Sequence, residues 1–175
     1  MKRVRTDDES SGVDAEAATV GRMPGVRTRL LFVCLGNICR SPTAEAVMRT
    51  LIAERGMQDQ VEVDSAGIGA WHTGSPPDER ACAAATRRGI TVAGEARQVT
   101  RHDFTVFDLM LAMDASNLHD LRRLAPSGTE HKVRLLADVD VPDPYYGGAD
   151  GFDRVLDLVE GACGRLLDEL DVRQA

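Results

Sequence analysis

Closely paired cysteines, aromatic residues, long apolar runs and positive charge are all in short supply in this chain, and each shortage closes off a class of protein. The four cysteines, Cys34, Cys39, Cys82 and Cys163, do not fall into the two spaced pairs of a structural zinc site. A secretion signal is missing too. Lys2-Arg3-Val4-Arg5 would make a charged start, but Asp7-Asp8-Glu9-Ser10-Ser11 follows where an apolar stretch is needed. The cysteines are therefore expected to be reduced thiols of a cytoplasmic protein. No window is long and apolar enough to span a bilayer. Lys and Arg number 21 against 28 Asp and Glu, a net charge of −7, which argues against a general nucleic-acid or anionic-membrane binder. A local positive pocket remains compatible with that total. Four Phe, two Tyr and one Trp are the only aromatics of that kind. The Phe residues lie in or beside apolar patterned segments, whereas Trp71, Tyr145 and Tyr146 lie in polar loops and so stand out.

What is present suits a globular domain. A chain of 175 residues, 43% of them hydrophobic, predicts one domain with one core. Residues 1–26 carry few large apolar side chains and read as a disordered tail, with Met23 an alternative initiation point; residues 27–172 read as the domain. Arg29–Val33 is an apolar run of the kind buried on both faces of a sheet. A helix is predicted from Pro42 to Arg55 and a second strand over Val61–Asp64, which together make a right-handed βαβ unit. A Gly- and Pro-rich loop over 65–77 is followed by a helix over Asp78–Arg88, then an irregular stretch and a third strand over Phe107–Met113. Asp114 or Ser116 caps a helix running to Arg123, Val133–Leu136 is the fourth strand, and Phe152–Leu170 the last helix. No internal repeat is visible. The alternation of strands and helices predicts an α/β fold, a parallel sheet covered on both faces.

One stretch carries chemistry: Val33-Cys34-Leu35-Gly36-Asn37-Ile38-Cys39-Arg40-Ser41-Pro42. The strand delivers Cys34, and Ser41-Pro42 is expected to open the helix, with Ser as cap and Pro at the first helical position. Backbone N–H groups and a helix N-terminus converge in between, which makes an anion site. Five residues separate Cys34 from Arg40, enough for the loop to curl round one tetrahedral oxyanion. Arg40 clamps it with paired donors, as Lys could not. The same donors favour a thiolate at Cys34, and Ser41 is placed to give its hydroxyl to the sulfur. Gly36 gives the backbone room, while Asn37 tolerates a left-handed turn and its amide can tie the loop together.

This loop resembles the phosphate-binding loop of the low-molecular-weight protein tyrosine phosphatases. The resemblance extends through Asp64-Ser65-Ala66-Gly67, Trp71-His72, Ala96-Arg97-Gln98-Val99-Thr100, Met113-Asp114 and Asp143-Pro144-Tyr145-Tyr146-Gly147. It implies a single-domain, four-stranded parallel sheet in the order 2-1-3-4, with the loop after strand one at the point where the winding reverses. It implies hydrolysis of phosphotyrosine in proteins. A monomer without a cofactor is expected, and no metal is required because the loop already supplies the positive field. Cys34 would be the nucleophile, Arg40 the clamp, and Leu35, Gly36, Asn37, Ile38, Cys39 and Ser41 the rest of the phosphate loop.

Expelling a phenolate of pKa about 10 calls for a proton donor. Asp143, stiffened by Pro144, is the candidate, and the resemblance puts the general acid there. Trp71, His72, Tyr145 and Tyr146 would line a slot whose depth suits a phenyl ring and leaves phosphoserine short of the sulfur. In the family, Ile at position 38 accompanies tyrosine phosphatases and Thr marks relatives acting on phosphoarginine. Ser65 and Asp114 match positions that brace the loop. Cys39 is a small apolar filler or the partner of a reversible disulfide with Cys34. Cys82 and Cys163 are expected in the core, and His102, His119 and His131 on the surface. One departure is Gly94, where many members carry a His, so a hydrogen bond bracing the loop is absent or replaced.

Two other readings remain at this level. A thiol-dependent arsenate reductase on the same fold would use a close downstream pair of cysteines, and Cys82 has no such neighbour. A non-catalytic phosphotyrosine-binding module would not need Cys34, Arg40 and Asp143 together. The receptor-type phosphatases share the Cys-x5-Arg spacing but carry their acid before the Cys, whereas Asp143 follows it.

Overall fold

The computed structural model describes Gly25 and residues 27–174; the expected tail over 1–26 otherwise lies outside the described residues. The strands are β1 (Thr28–Cys34), β2 (Val61–Gly67), β3 (Leu109–Ala112) and β4 (Val133–Leu135). They form one parallel sheet in the order β2-β1-β3-β4. Among the described residues five α-helices accompany them: α1 (Arg40–Glu54), α2 (Glu79–Thr86), α3 (Asp103–Val106), α4 (Ala115–Leu124) and α5 (Asp150–Gln174). Among the described residues no helix is long and apolar enough to cross a membrane.

The central strand shows why the sheet is covered on both faces. Leu30, Leu31, Phe32 and Val33 are fully buried, and their side chains alternate between two cores. Leu30, Phe32 and Cys34 face the larger core with Val47, Met48 and Ile52 of α1 and Val155, Leu156 and Val159 of α5. Leu31 and Val33 face the other, with Phe104 of α3 and Leu121 of α4. The smooth apolar run on β1 is thus two half-faces superposed.

Two expectations need correction. The stretch before β3 contains the short helix α3, capped by none of the usual side chains. Its Asp103 instead accepts the Thr100 N–H at 2.7 Å and pairs with the Arg97 guanidinium six residues earlier, which takes part in holding it. Helix α1 begins at Arg40, with Cys39 in the cap position and no side-chain cap, so Ser41 is not its N-cap. The reason is competition: the Ser41 hydroxyl is drawn inward, to Cys34 and the loop, and is unavailable to the helix end. Asp114, by contrast, caps α4 as expected, taking the Asn117 N–H at 2.8 Å.

Candidate active site

The carboxyl end of β1 releases the chain at Cys34 into a five-residue loop that closes on Arg40 at the start of α1. The turn is made at Asn37, whose φ of 57° is left-handed and whose side chain fixes it there. The Asn37 amide donates to Ser41 Oγ at 2.8 Å and to Ser65 Oγ at 3.0 Å, and its oxygen accepts the Arg97 N–H at 3.0 Å. Both polar atoms of its side chain are therefore used while it is buried, as a costly buried amide requires.

Inside this turn lies the Cys34 sulfur. It accepts the Asn37 N–H at 3.3 Å and lies 3.0 Å from Ser41 Oγ. Because Ser41 Oγ already accepts from Asn37, its own proton is left to point at the sulfur or at the Ala66 carbonyl, 3.3 Å away. Both donors suit a negatively charged sulfur.

Arg40 is almost wholly buried, at 2% exposure, so its charge has to be met by partners. Nη1 donates to Asp114 Oδ2 at 2.6 Å and to the Val141 carbonyl at 3.0 Å, and Nη2 reaches Asp143 Oδ2 at 3.4 Å. Asp114 thus does two jobs with two oxygens, one capping α4 and one fixing the plane of the guanidinium. Asp143 sits at the lip, its side chain 42% exposed, and its other oxygen accepts the Tyr145 N–H at 3.1 Å.

Above the loop is a cavity of about 370 Å³ lined by Cys34, Ile38, Arg40, Trp71, His72 and Asp143, with Tyr145 and Tyr146 completing the wall. The His72 and Tyr145 rings are 6.2 Å apart, and Tyr146 meets Tyr145 edge-on at 4.8 Å. Tyr145 is backed by Arg80, whose guanidinium lies over it at 5.6 Å and over Phe152 at 4.8 Å. A thiol floor, a fixed guanidinium, a carboxyl at the rim and aromatic sides are brought together from three separate stretches of chain.

A sequence profile described as low molecular weight phosphotyrosine protein phosphatase matches residues 29–175. The low molecular weight protein-tyrosine-phosphatase of Streptomyces coelicolor is 48% identical over 149 residues, covering 79% of this chain and 91% of that protein. The chain belongs to the low molecular weight phosphotyrosine protein phosphatase family. Among solved structures, a protein tyrosine phosphatase from Entamoeba histolytica with Hepes in its active site superposes with a TM-score of 0.82 at 40% identity, covering 85% of this chain and 99% of that one. A Drosophila arginine phosphatase has the same fold, with a TM-score of 0.75 at 36% identity over 80% of this chain and 96% of that one.

Within this phosphatase the brace around the loop includes residues to which the sequence assigned no role. Glu45, on α1, accepts the Ser65 hydroxyl at 2.6 Å and so holds Ser65 beneath Asn37. Arg97 supplies a backbone N–H to Asn37 while its guanidinium is held between Asp64 and Asp103. Gly94 brings no side chain to this region and sits at φ 104°; the hydrogen bonds that brace the loop here run through Ser41, Ser65, Glu45 and Arg97. Glu45 offered one signal: it follows Arg40 by five positions on the same helix, near enough to the loop to matter.

All four cysteines are unpaired, but they differ in surroundings. Cys163 is fully buried, whereas Cys82 is only half-buried rather than a core residue. Burial, helped by the Asp78 carboxylate, pushes the Cys39 thiol up to about 12. Cys39 therefore stays protonated across the physiological range, and only above that range would it become a competent nucleophile. Iodoacetate labelling near pH 7, followed by peptide mass spectrometry, should modify Cys34 and leave Cys39 at least about tenfold less labelled. Comparable labelling of the two would show that their environments are not distinguished.

Proposed function

We propose that the chain hydrolyses phosphotyrosine in proteins through a cysteinyl-phosphate intermediate. The observation that carries this is the shared cavity: the Cys34 sulfur at its floor, the Arg40 guanidinium beside it and the Asp143 carboxyl at its lip. The Cys34 thiolate attacks phosphorus as the bond from phosphorus to the phenolic oxygen breaks. The departing oxygen takes the bonding pair and a proton from Asp143. Asp143, now a carboxylate, takes a proton from water as the water oxygen attacks phosphorus. The sulfur–phosphorus bond breaks, its pair returns to sulfur, and orthophosphate is released. Arg40 and the loop N–H groups hold the three non-bridging oxygens through both steps, where developing charge makes such fixed donors most effective. Ser65 and Asp114 keep the loop and the guanidinium in place.

The aromatic walls support an aryl substrate, since Trp71, His72, Tyr145 and Tyr146 can flank a ring and a serine stem is too short to reach the floor. Ile38, half-buried at the wall, offers no hydroxyl to a guanidinium, which favours phosphotyrosine over the phosphoarginine named for the Drosophila relative. This reading takes the enzyme to be cytoplasmic and monomeric, acting on phosphotyrosine proteins; four unpaired thiols suit a reducing compartment. A panel of phosphotyrosine, phosphoserine and phosphoarginine peptides tests it, with thioredoxin-coupled arsenate reduction alongside. Phosphotyrosine should be preferred by at least about 100-fold in kcat/KM. Turnover of arsenate instead, or binding of phosphotyrosine with no release of phosphate, would replace it with one of the other readings.

A further inference from the structure

The geometry points to Gly69 as a positioning residue for substrate selectivity: its bare Cα is the seat on which the Trp71 indole lies, and it thereby fixes one wall of the pocket. The inference rests on the phosphotyrosine reading and deepens it.

Trp71 is 72% exposed, yet it lines the cavity above Cys34. An exposed indole in a polar loop has many rotamers open to it, so something must choose one. A Cβ built on Gly69 would overlap the six-membered ring of Trp71, meeting Cε3 and Cζ3 well inside contact and Cη2 at 2.5 Å. The ring therefore occupies the space that any side chain at position 69 would need. The Gly69 φ is not positive, so no left-handed turn demands glycine there. The indole is the reason on hand for the missing side chain.

The seat is also tied to the phosphate loop. The Gly69 N–H donates to the Leu35 carbonyl at 2.9 Å, and the Ile68 N–H to the Cys34 carbonyl at 2.9 Å. Gly67 packs its Cα against the Gly36 and Asn37 backbone, where a Cβ would come within 3.1 Å of Asn37 N. The next rim residue is laid down the same way: a Cβ on Gly36 would stand 2.9 Å from His72 Cδ2. Two successive wall side chains thus rest on two bare backbone positions, and their distance from the Cys34 sulfur is inherited from the loop. A wall set this way confines an aromatic ring through position rather than through a hydrogen bond, so it acts on substrate fit and not on the bound phosphate.

Trp71 is the only tryptophan in the chain, so intrinsic fluorescence reports on it alone. Gly69→Ala, Trp71→Ala and the double variant are compared with wild type. In Gly69→Ala the indole has to leave its seat: acrylamide quenching of its fluorescence should rise, and KM for a phosphotyrosine peptide should rise about fivefold with kcat within about twofold. Inhibition by inorganic phosphate should stay within about twofold, because the donors around Cys34 and Arg40 are untouched. Trp71→Ala should raise KM at least as much, and the double variant should add nothing to it, as expected for two residues acting as a unit. The proposal is overturned if Gly69→Ala leaves both quenching and KM unchanged. It is overturned as well if Tm falls by more than about 10 °C, since only the flexible indole stands in the way of the methyl. Should Gly69→Ala have no effect while Trp71→Ala raises KM, the wall stands and the seat fails. Should Trp71→Ala itself leave KM unchanged, the wall assignment fails and takes the seat with it.

Discussion

Cys34→Ser should lower the turnover of phosphotyrosine by at least about 10⁴-fold and leave the affinity for inorganic phosphate unchanged or higher. The asymmetry follows from what surrounds the sulfur. The Asn37 N–H at 3.3 Å and the Ser41 hydroxyl at 3.0 Å are placed to stabilise a thiolate. A serine hydroxyl in the same place would meet the same donors but would still be a neutral alcohol, far too weak an acid to become the attacking anion there. Among the described residues no basic side chain is within hydrogen-bond distance of that atom to take its proton: the neighbours are a backbone amide and another hydroxyl. The binding side of the loop is separate. Arg40 is fixed by Asp114 and Val141, and neither contact involves the sulfur. Taking away a negative charge beneath a phosphate dianion also removes a repulsion. Steady-state kinetics, together with calorimetric titration of phosphate, measure both halves. Residual turnover near that of wild type would remove Cys34 from the reaction, and loss of phosphate binding would mean that the sulfur holds the loop together.

How much of this was legible beforehand depends on whether a residue's role is set by its neighbours in sequence or by its neighbours in space. The phosphate loop is contiguous, and strand, turn and helix start are each local properties, so Cys34, Asn37 and Arg40 could be read directly. Strand order was legible only through resemblance; alternating elements alone give a parallel sheet but not β2-β1-β3-β4. The misplaced cap is instructive. Ser41 has the right residue type for a helix N-cap, and local propensity says so, but the sulfur seven residues earlier claims its hydroxyl first. Glu45 was passed over, and Arg97 figured only as part of a motif with no role of its own, because each looks like an ordinary charged residue until the fold brings it under Ser65 or Asn37. Gly69 was invisible for a further reason: its importance is the space it leaves, and nothing in the sequence says which ring fills it. Arg80 is similar, an exposed helix residue whose guanidinium turns out to back the Tyr145 wall.

Asp143→Ala should reduce turnover of phosphotyrosine by about 10²- to 10³-fold, and the loss should shrink steadily as the leaving group becomes more acidic. A phenolate of pKa about 10 leaves poorly without a proton, whereas a strongly activated phenolate needs little help. The geometry allows the role. Asp143 is at the lip, half-exposed, where the bridging oxygen of an aryl ester would emerge from the slot. Its Oδ1 is steadied by the Tyr145 N–H at 3.1 Å, so one oxygen is held and the other faces the cavity side near Arg40. That second contact supplies the competing explanation. At 3.4 Å from Nη2, Asp143 could matter only by helping to hold Arg40, in which case its loss would weaken phosphate binding for every substrate alike. The two accounts separate in three measurements. With the acid removed, a plot of log kcat/KM against leaving-group pKa should steepen, because kcat/KM reports the step in which the leaving group departs, whereas loss of positioning shifts the line without changing its slope. Asp143→Asn keeps an oxygen to accept from Tyr145 and a donor-acceptor group beside Arg40 but has no transferable carboxyl proton, so it should resemble Asp143→Ala if proton transfer is the role and wild type if positioning is. Inhibition by inorganic phosphate should be unchanged or tighter in both variants, because Asp114 and Val141 still fix the guanidinium and one carboxylate has left the neighbourhood of the dianion. A uniform loss across leaving groups, restored by Asn, would reassign Asp143 from proton donor to brace.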